Sequence, residues 1–188
     1  MKRIMFNDKY GLTRAVLEGN KTVTRRVIAG QKAFDFLMQT FGDDGKWVTD
    51  PEWAAYQVGE EVSVAQCYRD VYLDYICTPS FKQEHNKEAG WKNKMFVKAA
   101  LMPNRIRIKS ARAERLQDIT DEDAKRECNV FYNFADRKYE VYGLKGQFAT
   151  PRDGFAALID KVGGSGTWES NPWVVRYEFE LLRKEYAK

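Results

Sequence analysis

Between positions 21 and 26 the chain gathers one amine, two hydroxyls and two guanidinium groups: Gly19-Asn20-Lys21-Thr22-Val23-Thr24-Arg25-Arg26. A threonine hydroxyl is a poor nucleophile until a base removes its proton. A lysine amine can be that base only when neutral. That state requires burial or neighbouring positive charge to lower its pKa by some 2–3 units from about 10.4. Arg25 and Arg26 could supply the positive field. In a fully extended strand Thr22, Thr24 and Arg26 share one face, and Lys21, Val23 and Arg25 the other. At a turn entering the strand, Lys21 swings beside Thr24 instead. Two plainer uses stay open: a basic exposed strand, or a Lys21 that holds a phosphate.

Other chemistries lack their residues. The single histidine, His85, stands in a Lys/Glu-rich stretch with no second ligand beside it, and reads as a surface residue. Cys67, Cys77 and Cys128 form no C-x-x-C pair, and their odd number argues against a disulfide framework. There is no zinc spacing, phosphate-binding glycine loop or G-x-S-x-G elbow. No metal and no cofactor are expected.

Charge points to an anionic partner. Residues 1–33 hold eight Lys/Arg against two acids, and 104–115 hold five against one, although the 188-residue chain carries only +4. Two short basic blocks therefore lie in an acidic remainder, which suits RNA or a nucleotide-like molecule. Arg105 and Arg107 would project from one strand face beside Lys109, with Arg25 and Arg26 extending the patch. Tyr68, Tyr72 or Trp91 could stack on bases. A hydrophobic fraction of 44% and 26 aromatic residues exclude a disordered tail. No run approaches the ~20 apolar residues of a membrane span, and Met1 to Lys9 lacks the apolar core of a signal peptide. A soluble cytoplasmic protein without a membrane partner is expected.

The elements that must position these groups follow from periodicity. Leu12, Ala15 and Val16 predict a helix over 8–18, stopped at Gly19. Strands are predicted over 21–28, over 59–65 and around Ile106 and Ile108, with a last one running from Trp173 to Leu181. Thr120 with Asp123 approximates a capping box opening a helix whose buried side carries Ala124 and Cys128. Phe155 to Val162 predicts another helix, ended by Gly163-Gly164. Residues 79–96 and 132–149 read as irregular, and 29–55 as an inserted loop with some helix near 32–40. One domain of mixed α and β structure is expected, an open or closed mixed barrel with helices at its ends.

Four segments also resemble one family. Gly19-x-Lys21-Thr22-x-Thr24-Arg25-Arg26 is similar to the G-x-K-x-x-T/E-x-R motif of ASCH domains, relatives of the PUA RNA-binding fold. Tyr56-Gln57-Val58-Gly59-Glu60 looks like the family's entry to a core strand. Arg115-Leu116-Gln117-Asp118-Ile119-Thr120 through Ala124 resembles its strand-to-helix segment, and Trp168-Glu169-Ser170-Asn171-Pro172-Trp173-Val174 its ending in a bacterial and phage branch. The resemblance implies an α+β fold: a PUA-like mixed β-barrel with flanking helices, spanning 1–188 as one domain. Inserted loops would fall near 29–55, 68–95 and 129–149. It implies RNA or nucleotide binding through Thr22, Arg25, Arg26, Arg105 and Arg107. As an alternative it implies the amidohydrolase activity of a branch that deacetylates N(4)-acetylcytidine with a lysine, a threonine and a glutamate. Those roles would fall on Lys21, Thr24 and Glu127, although this chain is longer than that branch and its T-R-R sequence differs. A further alternative is an accessory interaction protein of a phage or mobile element, with aromatic residues of 29–55 and 131–148 forming the contact.

Overall fold

The computed structural model describes residues 1–28, 53–74 and 79–182. Most of the expected 29–55 insertion, with its short helix, and Cys77 lie outside the described residues.

Strand β1 (Arg3–Ile4) leads to a 3-10 turn (Asp8–Tyr10) and helix α1 (Leu12–Leu17). The single helix expected over 8–18 is thus broken at Gly11, which takes a left-handed φ of 64°. A Cβ there would stand 2.8 Å from Asn129 and 2.9 Å from the Tyr142 ring, so only glycine fits. Strands β2 (Val23–Val27) and β3 (Glu61–Val64) follow, then helices α2 (Tyr68–Asp74) and α3 (Pro79–His85). The long strand β4 (Arg105–Arg115) runs into helix α4 (Asp121–Glu127). A hairpin of β5 (Val130–Asn133) and β6 (Lys138–Val141) precedes helices α5 (Pro151–Gly163) and α6 (Thr167–Ser170), and β7 (Trp173–Leu182) closes the sheet.

Five strands lie in the order β1-β3-β4-β7-β2, with β1 parallel to β3 and the other neighbours antiparallel. Strand β4 buries Ile106 and Ile108, then Ala111 and Ala113. The switch from even to odd positions is made by a bulge between Ile108 and Ser110, which inserts one residue and re-aims the rest of the strand. In β7, Val175, Tyr177 and Phe179 face the core, as the alternation predicts.

Three expectations need correction. Among the described residues the sheet does not close into a barrel, because the outer edge of β2 is taken by a helix instead of β1. Thr22 N–H donates to the Arg126 carbonyl (2.9 Å) and Arg25 N–H to the Glu127 carboxylate (2.6 Å), both on α4. Residues 132–149 do not simply wander, since β5 and β6 pair, with the Tyr132 ring packed edge-on against Phe134 and tilted against Tyr139. His85 is buried, its ring 4.6 Å from Phe81 and 4.9 Å from Tyr68. Those rings belong to a second small core with Ala65, Val71, Val97 and Met102, which the polar letters of 79–96 conceal. Tyr68 is wholly buried there, so it offers no base-stacking face.

Among the described residues, no helix is long and apolar enough to cross a membrane.

Candidate small-molecule site beside the edge of β2

The chain leaves α1 through Gly19, at a φ of 82°, and Lys21 N–H returns to the Ala15 carbonyl at 2.9 Å. This tight reversal places Lys21 before β2 begins, outside the strand alternation. Its side chain turns inward and is 3% exposed. The Nζ donates to the carbonyls of Val23 (2.7 Å) and Glu127 (2.5 Å) and lies 5.6 Å from the centre of the Phe6 ring. Burial is the largest influence on Lys21 and lowers its pKa; Glu127 opposes this, and Arg26 and Arg25 reinforce it. The outcome is about 8, against an ordinary 10.5. The contest between glutamate and arginine therefore matters less than desolvation.

A neutral lysine amine has two N–H donors, and two carbonyls receive them. Losing the third proton costs no hydrogen bond here and leaves a lone pair free. Thr24 is also buried, and its hydroxyl makes no hydrogen bond with another described residue. Lys21, Thr24, Arg25, Arg26 and Glu127 all line one cavity of about 70 Å³. Its other walls are mainly apolar side chains from the N-terminal segment, α1 and α5.

Arg25 and Glu127 are engaged with each other. Glu127 Oε1 accepts the Arg25 backbone N–H, and Oε2 accepts the Arg25 guanidinium. The same guanidinium donates to Glu114 Oε1 (2.7 Å) and Asp123 Oδ2 (2.8 Å). Arg176 grips Asp123 from the other side, at 2.8 and 2.9 Å. These Arg176 and Arg25 contacts hold the Asp123 carboxyl well below the usual carboxylate range, against the effect of burial. Thr120 caps α4 through the Asp123 N–H as expected, but the Asp123 carboxylate serves the two arginines.

The remaining expected ligand residues lie apart from the cavity. Thr22 Oγ1 accepts from Arg126 Nε at 3.0 Å. Arg107 pairs with Glu61 (3.0 Å) and Glu180 (3.5 Å), and Arg105 with Glu61 (3.6 Å). The basic face expected on β4 is thus matched by acids on its neighbours β3 and β7. Arg26, by contrast, is exposed at the cavity and donates to the Met5 carbonyl.

Sequence reasoning missed Glu114 and Asp123 as partners of Arg25, and Arg176 as the second cation on Asp123. Arg176 carried a signal: it shares the second face of β7 with Val174, and an apolar residue there marks a covered face on which a charge needs a buried counter-charge. The apolar helix face Phe155, Leu158 and Ile159 was legible as core but not as a cavity wall.

No protein-family model matches the chain, and no curated protein does. Among solved structures, it is similar to protein EF3133 from Enterococcus faecalis V583, of family model DUF984, with a TM-score of 0.46 and 10% identity over 100% of this chain and 85% of that one.

Proposed function

We propose that the protein binds an acylated, nucleotide-like small molecule in the Lys21–Thr24 cavity and hydrolyses its amide bond. One observation carries this reading: a buried lysine, with a pKa of about 8 and both remaining donors occupied, shares a cavity with a threonine hydroxyl that has no partner among the described residues. The resemblance of Gly19-x-Lys21-x-x-Thr24 and of Ile119-Thr120 to ASCH segments supports the same assignment, and with it a PUA-like origin for the sheet.

In the proposed reaction neutral Lys21 takes the Thr24 proton as the hydroxyl oxygen attacks the amide carbonyl carbon. The tetrahedral adduct then expels the amine, which receives that proton from Lys21, leaving an acyl ester on Thr24. Water, deprotonated by Lys21, attacks the ester carbon. The carboxylic acid departs as the proton returns to Thr24. Glu127 contributes its carbonyl, which orients the Lys21 amine, while its carboxylate fixes Arg25.

Binding to an extended RNA surface has less support, because Arg25 is buried and Arg105 and Arg107 are ion-paired. The test is N(4)-acetylcytidine hydrolysis by the purified chain, with Thr24→Ala and Lys21→Ala as controls of checked fold. Turnover abolished in both variants is expected. Turnover absent from the parent, or retained in Thr24→Ala, would overturn the reading.

A further inference from the structure

The cavity has a chemical polarity that says which end of such a substrate enters it, an inference that rests on the reading above. Its depth is formed by Phe6, Leu12, Phe155 and Leu158, each less than 9% exposed. Its mouth is formed by groups in contact with solvent: Arg26, Met5 (39% exposed) and Val162 (45%). Inside, the polar atoms are nearly all committed. The Arg25 guanidinium is held by three carboxylates, Glu127 by Arg25, and two Lys21 donors by carbonyls. Among the described residues, the Thr24 hydroxyl, one position on Lys21 Nζ and the amide nitrogen of half-buried Asn7 are left for a ligand.

A nucleobase buried there would strand most of its several donors and acceptors against apolar walls, and each group left unpaired carries the cost of its desolvation. An aliphatic acyl chain needs no partner beyond its carbonyl oxygen. Volume argues the same way. About 70 Å³ is half of the ~150 Å³ in an engineered apolar cavity that admits benzene. That suits a carbonyl and a methyl, and not a pyrimidine ring.

We propose that the cavity is an acyl pocket selective for short aliphatic amides, with Leu158 and Ile159 of α5 setting the limit on chain length. The acyl end lies inside and the amine half of the substrate lies at the mouth beside Arg26. Selectivity therefore falls on the acid component, and the amine component is held loosely.

The experiment compares N(4)-acetyl-, propionyl- and butyrylcytidine as substrates. It is paired with saturation-transfer NMR of acetamide and butyramide on the same protein. Expected is a fall in kcat/KM of roughly 10-fold or more from acetyl to butyryl, with Leu158→Ala bringing the two within a few-fold. Ile159→Ala, on the half-buried edge of the same wall, gives the second reading should Leu158→Ala fold poorly. Equal rates on acetyl and butyryl substrates in the parent, or a ratio unmoved in the variants that fold, overturn the acyl pocket and leave amide hydrolysis standing. Absence of all hydrolysis overturns the reaction, and the amides then decide the pocket. Acetamide saturated and butyramide not would sustain it; both or neither would overturn it.

Discussion

Glu127 receives the Lys21 amine on its backbone carbonyl, at 2.5 Å, and not on its carboxylate. Lys21 thereby gains an acceptor that no side-chain substitution removes, while the carboxylate is free to pin Arg25. The charge of Glu127 still acts on Lys21 through space and raises its pKa. Glu127→Gln should therefore keep the Lys21 geometry and lower the Lys21 pKa below about 8, moving the rise of the pH–rate profile to lower pH. The same change leaves Arg25 with Glu114 and Asp123, so it should cost less than the roughly 3–5 kcal/mol of a buried charge stripped of its partner. Urea unfolding and a pH–rate series on the folded fraction separate the two effects. A profile shifted to higher pH would contradict this division of roles.

Arg25 has a side chain 1% exposed and touches Glu114, Asp123 and Glu127 together. Arg25→Met should destabilise the fold by about 3–5 kcal/mol near neutral pH, since three carboxylates would then share Arg176 and the peripheral arginines. The sign with pH follows from linkage. Asp123 has a depressed pKa in the folded protein, so its stabilising contribution is present above the ordinary carboxylate pKa and is lost as pH falls. Without Arg25 the Asp123 carboxyl loses one of the contacts that hold its pKa down, so the variant should lose less than the parent on acidification below the ordinary carboxylate pKa. The stability gap between parent and variant should be smaller at about pH 3 than at about pH 6 in denaturant titrations. A gap that widens toward the acid end would mean that Asp123 is held chiefly by other groups.

The legible parts of this molecule are those where one residue type has one use. Alternation in Val175, Tyr177 and Phe179 identified β7, and Thr120 identified the start of α4. Lys21 and Thr24 were legible as a pair because the turn at Gly19 offered a way to bring them together. What the letters hid were partnerships distant along the chain. Arg25 reads as one more exposed cation until Glu114, 89 positions away, and Asp123, 98 away, are seen to converge on it. Conversely, Arg105 and Arg107 read as a free basic face because Glu61 and Glu180 lie on other strands. His85 misleads similarly: its neighbours in sequence are polar, and its neighbours in space are aromatic.

That pairing on β4 makes its own prediction. Cations already matched by carboxylates release few counterions on meeting a phosphate backbone. Arg105→Ala with Arg107→Ala should change affinity for single-stranded RNA by less than about two-fold at 50 mM salt. Removing a cation that does neutralise a phosphate lowers the slope of log K against log salt by about 0.7. Fluorescence anisotropy across a salt series measures both quantities. A slope reduced by about 1.4 in the double variant would restore this face as an RNA surface.

Lys21 ties stability to activity through a single proton. Its folded pKa of about 8 lies below the ordinary 10.5, so between those values the unfolded chain binds more protons than the folded one. Stability must therefore rise with pH across that window, as the burden of a buried ammonium is lifted. Lys21→Met removes this titration, and its stability relative to the parent should be greatest below pH 8 and decline toward pH 10. Activity should follow the same proton: kcat/KM for an acylated nucleoside should climb about ten-fold per pH unit below 8 and level off above it. Chemical denaturation of both proteins at pH 7, 8 and 9.5, alongside initial rates, makes the comparison. A stability difference that does not vary with pH would mean Lys21 is charged throughout, and the neutral base would have to be sought elsewhere in the cavity.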